Sequence, residues 1–216
     1  MKSFAVIGLG RFGTHLALTL VQDGHQVLVI DKDSERVEEL SDYVTNAVIG
    51  DPTDREVLEA AGISEYDCAI VAISNDMESS ILTTLLLEDL GVRRIVARAV
   101  SDNHAKVLEK VGADTVVFPE RDMGEKLAHK LNKNNVLEYI EFSSDYSVAE
   151  IKVPVKWVGK TLRELDLRRT YKVNVIAVVK DYPRKIQINH DPDDPFEASD
   201  TIAIIGKNED IDKVSE

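Results

Sequence analysis

A glycine-rich turn, Gly8-Leu9-Gly10-Arg11-Phe12-Gly13, joins the apolar run 4–7 to a helical pattern that begins at Thr14. In a strand–turn–helix of this kind the first glycine permits the tight turn, and the second lets a diphosphate approach the backbone. The third glycine lets the helix lie close to the strand, and the N–H groups at the helix start attract phosphate. The turn therefore predicts a nucleotide-binding unit of the Rossmann type.

An acidic residue follows the second apolar run of the chain. Residues 26–30 are strand-like and lead to Asp31, which lies well beyond the glycine-rich turn at the end of the second predicted strand. A carboxylate at this place is suited to accept hydrogen bonds from the ribose hydroxyls of a nucleotide. We therefore expect Asp31 to bind ribose, with Lys32 beside it in the same site.

The composition limits the class of protein. The chain has 216 residues, a formal net charge of -13 and a single cysteine. This charge argues against nucleic acid as a partner, and one cysteine excludes a disulfide within the monomer, which fits a reducing cytosol. The apolar runs are only strand-length and the residues Met1-Lys2-Ser3 lead straight into a strand. We therefore expect a cytoplasmic protein with no signal peptide and no membrane span.

Strands and helices alternate along the first part of the chain, which is typical of an α/β fold with a doubly wound parallel sheet. Six strands are predicted, at 3–8, 26–31, 44–49, 67–73, 94–100 and 115–118. Helical patterns follow them at 11–23, 33–41, 54–61, 75–90, 102–111 and 120–131. We assign residues 1–135 to this Rossmann-like nucleotide-binding domain, with the ligand at the carboxyl ends of the strands.

The remaining residues, 136–216, predict a small α+β lobe. A short helix is expected at 161–167, and short strands are expected at 148–153, 173–180, 185–188 and 201–205. A lobe of about eighty residues is close to the lower limit for an independent core. We therefore expect it to pair with a second copy of itself.

Two classes of function fit a nucleotide site on this fold: a ligand sensor and a small NAD(P)-dependent oxidoreductase. Hydride transfer needs a proton donor and a substrate clamp beside the nucleotide. Of the five histidines, only His104 begins a helix that could face the cleft, and no metal-ligand spacing occurs. Arg11 projects from the glycine turn, where a guanidinium can bind a terminal phosphate, which suits ATP or ADP at least as well as NAD. We therefore favour a sensor and keep the oxidoreductase as the alternative.

Five further segments accompany the glycine turn in a recognisable order. They are Val48-Ile49-Gly50-Asp51, Ser80-Ile81-Leu82-Thr83-Thr84, Gly112-Ala113-Asp114, Phe118-Pro119-Glu120-Arg121-Asp122-Met123 and Asn135-Val136-Leu137-Glu138-Tyr139. With them the chain resembles, over essentially its whole length, the cytosolic gating subunits of bacterial Ktr and Trk potassium uptake systems. These subunits consist of an RCK (KTN) domain and an RCK-C (TrkA-C) lobe, and the single RCK unit makes the Ktr type the nearer match.

The resemblance implies a regulator and not an enzyme. Such subunits bind adenine nucleotides in the N-terminal lobe, with ATP favouring ion uptake and ADP suppressing it. They form homodimers that assemble into a ring, an octamer, beneath a membrane potassium-translocating subunit of the KtrB or TrkH type. The protein would then lie on the inner face of the cell membrane through its partner.

The resemblance also implies the residues of the nucleotide site. Among them Glu120 is expected to act through a divalent cation, Mg²⁺ or Ca²⁺, because a bare carboxylate would repel a triphosphate. The expected site comprises Gly8, Gly10, Arg11, Phe12, Gly13, Asp31, Lys32, Gly50, Asp51, Ala72, Ile73, Arg98 and Glu120.

For the second lobe the resemblance implies a receptor for cyclic di-AMP at a dimer interface, with Arg168, Asn174 and Ile176 in the matching segment. The chain departs from the family in two places, since Ser199 replaces a usual glycine and the segment 189–195 is unusually acidic. Acidic groups close to a dianion repel it. The departures therefore weigh against cyclic di-AMP more than against nucleotide binding.

Overall fold

The structure, a computed structural model, describes residues 1–132, 136–143, 145–180, 185–188 and 190–215. The chain divides into two compact units, Met1–Glu120 and Arg121–Glu216. The domain boundary predicted at 135 falls among residues 133–135, which lie outside the described residues, and it stays a prediction. Within the described part of the chain, no helix has the length and apolarity needed to cross a membrane.

The first unit is built on a six-stranded parallel sheet with the order β3-β2-β1-β4-β5-β6. The strands are β1 (Ser3–Ile7), β2 (Gln26–Asp31), β3 (Asn46–Ile49), β4 (Cys68–Val71), β5 (Ile95–Arg98) and β6 (Thr115–Val117). The helices are α1 (Arg11–Gln22), α2 (Ser34–Ser41), α3 (Arg55–Ala60), α4 (Met77–Asp89), α5 (Asp102–Lys110) and α6 (Pro119–Asn132), the last of which continues into the second unit. This topology confirms the predicted doubly wound sheet, and its order reverses between β1 and β4.

The central strands are apolar on both faces because helices cover both faces of the sheet. Along β1 and β2 the side chains of Ile7 and Ile30 enter one core cluster, whereas those of Val6 and Val29 enter the other. All four side chains are fully buried. Burying a side chain of this size contributes about 1.5–3 kcal/mol, so the two clusters hold the carboxyl ends of β1 and β2 in fixed positions.

Short polar side chains begin the helices that follow the strands. In α2, α3, α4 and α5 the capping side chain accepts a hydrogen bond from a backbone N–H in the first turn of the helix. The capping residues are Asp33, Asp54, Asp76 and Ser101. These caps satisfy N–H groups that have no partner within the helix. The helices therefore begin just after the strands, at the edge of the sheet where the cleft lies.

The second unit contains a five-stranded antiparallel sheet with the order β10-β9-β11-β8-β7. The strands are β7 (Val136–Glu141), β8 (Tyr146–Lys152), β9 (Asn174–Lys180), β10 (Lys185–Gln187) and β11 (Thr201–Lys207). The helices are α7 (Leu162–Leu165), α8 (Leu167–Thr170) and α9 (Asn208–Ser215). Trp157 and Phe196 are the largest buried side chains of its core, where they pack with Ile151 and Ile202.

Three elements of this unit, β7, α9 and a 3-10 helix at Val155–Trp157, were not predicted, and one prediction was wrong. The helix predicted at 161–167 is two short helices, because Asp166 between them adopts a left-handed conformation with φ 39°. A left-handed residue ends one helix and lets the chain turn into the next. Among the described side chains of α9, the hydrophobic ones buried in the core are Ile211 and Val214, an apolar pattern too sparse to identify from sequence.

Candidate functional site

The glycine turn follows β1 and leads into α1. Gly8 has φ +95°, a conformation that L side chains rarely adopt, and a Cβ there would lie 3.0 Å from the side chain of Ile73. A Cβ on Gly13 would collide with the carbonyl oxygen of Gly8. Gly10 differs, since it caps α1 and a Cβ there would have nothing within 4 Å. The open space above Gly10, at the N-terminus of α1, is where an anion can approach the backbone.

The carboxylate of Asp31 lies at the end of β2 next to this turn. Its Oδ2 accepts a hydrogen bond from the N–H of Leu9 at 2.5 Å, and its Oδ1 accepts one from the N–H of Asp33 at 2.9 Å. The residue is buried, so these bonds fix the carboxylate and tie the glycine turn to β2. Each carboxylate oxygen has a second lone pair that a ligand hydroxyl can use.

A cleft of about 350 Å³ opens at this edge of the sheet. Its size is that of a small-molecule site. The structure brings together in its lining every residue of the predicted nucleotide site except Gly13 and Gly50. The predicted residues that line it are Gly8, Gly10, Arg11, Phe12, Asp31, Lys32, Asp51, Ala72, Ile73, Arg98 and Glu120.

Gly13 and Gly50 do not line the cleft, and each is closely packed against another part of the first unit. Gly13 allows the close approach to Gly8 described above, and a Cβ on Gly50 would lie 2.7 Å from Cγ1 of Val57. Gly13 is therefore required by backbone packing, whereas a side chain at position 50 would collide with the side chain of Val57.

Two of the four described cations that line the cleft, Arg36 and Arg98, are paired with acids. Arg98 pairs with Glu120, and its guanidinium carbon lies 5.8 Å from the centroid of the Phe12 ring. The side chain of Arg98 is 11% exposed and that of Glu120 is 65% exposed, so the arginine is held and the glutamate is at the surface. For the side chain of Arg11, by contrast, no hydrogen bond or ion pair occurs with the residues that the structure describes. Arg11 is thus a cation at the glycine turn that can bind an anion.

Two acids that line the cleft, Asp51 and Asp76, are held in their charged form. Hydrogen bonds from the hydroxyl and N–H of Thr53 lower the pKa of Asp51. Hydrogen bonds from the hydroxyl and N–H of Ser79 lower the pKa of Asp76 in the same way. Lys32 contributes to both shifts by charge attraction. Both carboxylates therefore offer hydrogen-bond acceptors to a ligand in the cleft.

Six lining residues escaped the sequence analysis. The pattern Asp76-x-x-Ser79 after β4 is an N-cap signal that could have placed that segment at the cleft. Arg36 had no such signal, because its position depends on how α2 leaves β2. The six are Arg36, Pro52, Ser74, Asn75, Asp76 and Ser79.

The histidine that sequence analysis placed nearest to the cleft does not line it. His104 is buried, its Nδ1 accepts a hydrogen bond from the N–H of Val100, and burial lowers its pKa. Among the described residues, no group of three His, Cys, Asp or Glu side chains could hold a metal ion. Any cation at Glu120 would need further ligands from a bound molecule.

The three residues predicted for the second ligand lie in the second unit. Arg168 is on α8, and Asn174 and Ile176 lie on β9. All three are exposed. In the acidic segment, Arg163 binds Asp193 through two hydrogen bonds of 2.6 and 3.0 Å, which lower the pKa of Asp193. This pair neutralises one of the acids there.

A Rossmann-like unit with a cleft at its glycine turn, followed by a small antiparallel lobe, defines the RCK class of domains. Residues 4–119 match the TrkA-N domain and residues 148–216 match the TrkA-C domain. The chain belongs to the family of Ktr and Trk potassium uptake proteins. It is 41% identical over 212 residues to the Ktr system potassium uptake protein C of Bacillus subtilis (strain 168), covering 98% of this chain and 95% of that protein.

Solved structures agree with this assignment. The GsuK channel bound to NAD superposes with a TM-score of 0.53 at 26% identity, over 99% of this chain and 38% of the channel chain. GsuK bound to ADP superposes with a TM-score of 0.51 at 33% identity, over 60% of this chain and 34% of that chain. This chain therefore spans less than half the length of these channel chains.

Proposed function

We propose that this protein is a nucleotide-sensing regulatory subunit of a potassium uptake system. It binds ATP or ADP in the cleft of the first unit and controls K⁺ flux through a membrane potassium-translocating partner. The observation that carries the proposal is Arg11 at the glycine turn, whose side chain has no hydrogen bond or ion pair with the described residues, beside the fixed carboxylate of Asp31. Membership of the potassium uptake family and the NAD- and ADP-bound neighbours support it.

The nucleotide is oriented by three features of the cleft. The ribose hydroxyls donate to Asp31, and the diphosphate lies over Gly10 at the N-terminus of α1. The terminal phosphate of ATP then reaches Arg11, where a guanidinium can form two parallel hydrogen bonds. ADP lacks that group, so the charge at Arg11 gives the site a way to distinguish the two nucleotides. NAD shares the ribose and diphosphate contacts and is an alternative ligand.

A divalent cation, Mg²⁺ or Ca²⁺, accompanies the triphosphate in this proposal. Glu120 is exposed and lines the cleft, where its carboxylate would face the phosphates. A cation between them removes the repulsion, with phosphate oxygens completing its ligand set. For this, Glu120 must leave Arg98 or share it with the phosphates.

The protein acts as a homo-oligomer, a ring of dimers that is an octamer. Met123, Leu127 and Leu131 are exposed at four-residue spacing along α6, which is an apolar stripe on one helix face. A second copy can cover such a stripe. The second lobe also pairs, and cyclic di-AMP binds between two copies of Arg168, Asn174 and Ile176.

The test is calorimetric titration of the purified protein with ATP, ADP, NADH and cyclic di-AMP, followed by K⁺ flux into vesicles that hold the complex with its membrane partner. We expect ATP and ADP to bind and ATP to give the higher flux. A K⁺ flux that neither ATP nor ADP changes would refute the regulatory role. Oxidation of NADH in the presence of a carbonyl compound, followed by its absorbance, would favour the oxidoreductase instead.

A further inference from the structure

The order of the strands indicates where the base of a nucleotide lies, and this step rests on the proposed function. The phosphates lie at the glycine turn after β1, and the ribose lies at Asp31 after β2. Neighbouring strands are about 4.8 Å apart, so the base extends towards the end of β3. There the cleft is lined by Asp51, Pro52 and Arg36. Pro52 is buried, so it offers the base an apolar wall.

Arg36 is held beside this position by two acids. Its Nε lies 3.2 Å from Oδ2 of Asp33, and its Nη1 lies 3.9 Å from Oδ2 of Asp31. Asp31 is itself fixed by the N–H groups of Leu9 and Asp33. The N–H groups of a guanidinium lie in its plane, so acids bound at its edges leave its flat faces open. The side chain is 48% exposed, which leaves surface for a ligand.

We propose that Arg36 is the base-stacking residue of the cleft and gives it a preference for purine nucleotides. The guanidinium face covers one side of the base by stacking and cation–π attraction. A purine offers two fused rings to this face and a pyrimidine offers one, so the purine gains more contact.

The same acids argue against the other use of an arginine at this place, which is to bind a phosphate on the ribose. Asp31 and Asp33 both lie next to the guanidinium and would repel a second phosphate. The charge of Arg36 is thus already balanced, and its flat surface is what remains for the ligand.

The experiment measures the dissociation constants of ATP and CTP for the full-length protein and for Arg36→Lys and Arg36→Ala. Lysine keeps the positive charge but has no planar guanidinium group to stack on a base. If Arg36 stacks on the base, both variants weaken ATP by about tenfold, while CTP is weakened by about twofold or less. Arg55→Lys is the matched control, because Arg55 is also a half-exposed helical arginine paired with an acid, Glu59, and lies outside the cleft.

Three results would overturn the inference. If Arg36→Lys has the same dissociation constant for ATP as the unaltered protein, only the positive charge of Arg36 matters for binding. Equal losses for ATP and CTP would show that Arg36 only positions Asp31. Binding of 2′,5′-ADP that is tighter than that of ADP and lost in Arg36→Ala would assign the residue to a ribose phosphate. In all three the proposed function survives, whereas failure of the unaltered protein to bind ATP or ADP would refute the proposed function itself.

Discussion

The buried carboxylate of Asp31 holds the N–H of Leu9 at 2.5 Å, so the end of β2 and the glycine turn are one hydrogen-bonded structure. Asp31 therefore has a structural task as well as the proposed ribose contact. Its removal leaves the N–H of Leu9 without its acceptor.

Asp31→Ala is expected to lower the free energy of unfolding by about 1–3 kcal/mol, because a buried N–H loses a charged acceptor. The variant should also weaken ATP and NADH alike, since both would use the same ribose contact. Urea denaturation and calorimetry measure the two effects, with Asp42→Ala at the exposed end of α2 as control. Unchanged ATP affinity in Asp31→Ala would reject the ribose assignment.

Arg11→Ala is expected to bring the affinities for ATP and ADP closer together. A charged hydrogen bond contributes about 1.5–3 kcal/mol, so ATP should lose about tenfold or more while ADP loses little. Calorimetric titration with each nucleotide gives the ratio, and Arg55→Ala serves as the control outside the cleft. If both affinities fall by the same factor, Arg11 binds the phosphates that the two nucleotides share.

Glu120→Gln is expected to abolish the dependence of ATP binding on Mg²⁺ or Ca²⁺. The amide keeps the shape of the side chain but cannot balance a divalent cation. ATP affinity measured with and without the cation gives the dependence, and Asp122→Asn provides a neighbouring acid as control. A variant that keeps the full dependence would leave Glu120 only as the partner of Arg98 and an acid in the first turn of α6.

His104 should make stability fall in mild acid. Burial lowers its pKa in the folded protein, so protonation favours the unfolded chain. The stability that neutral His104 provides is complete above the unfolded pKa of about 6.5 and is lost as pH falls towards the lower folded pKa. The free energy of unfolding can be measured by urea denaturation at several values between neutral and mildly acid pH. It should fall less steeply with falling pH in His104→Asn than in the exposed control His15→Asn. The same pH dependence of the free energy of unfolding in both variants would mean that His104 does not titrate in this range.

The unaltered full-length protein is expected to bind one cyclic di-AMP for every two chains, and Arg168→Ala is expected to abolish this binding. At a two-fold interface each arginine occurs twice and can face both charges of a symmetric dianion. Arg169→Ala, on the same short helix, is the control. Calorimetry that finds no binding to the unaltered protein would remove the receptor role.

Local sequence patterns predicted most of the fold and many of the residues that line the cleft. The glycine turn, Asp31 and Asp51 each follow an apolar strand, and parallel strands bring such positions to one edge of a sheet. The pairing of Arg98 with Glu120 was not predicted, because it depends on how the side chain at the end of β5 meets one in the first turn of α6. Arg36 was missed for a related reason, since a helix pattern does not say which residue of its first turns faces a cleft.

Trp157 is the single tryptophan of the chain, and it lies fully buried in the core of the second unit. Its fluorescence is therefore an intrinsic optical reporter of that core alone. Circular dichroism, in contrast, follows the helices of both units. A shift in tryptophan emission when ATP fills the cleft of the first unit would be a direct optical signal that occupancy of one unit is felt in the other.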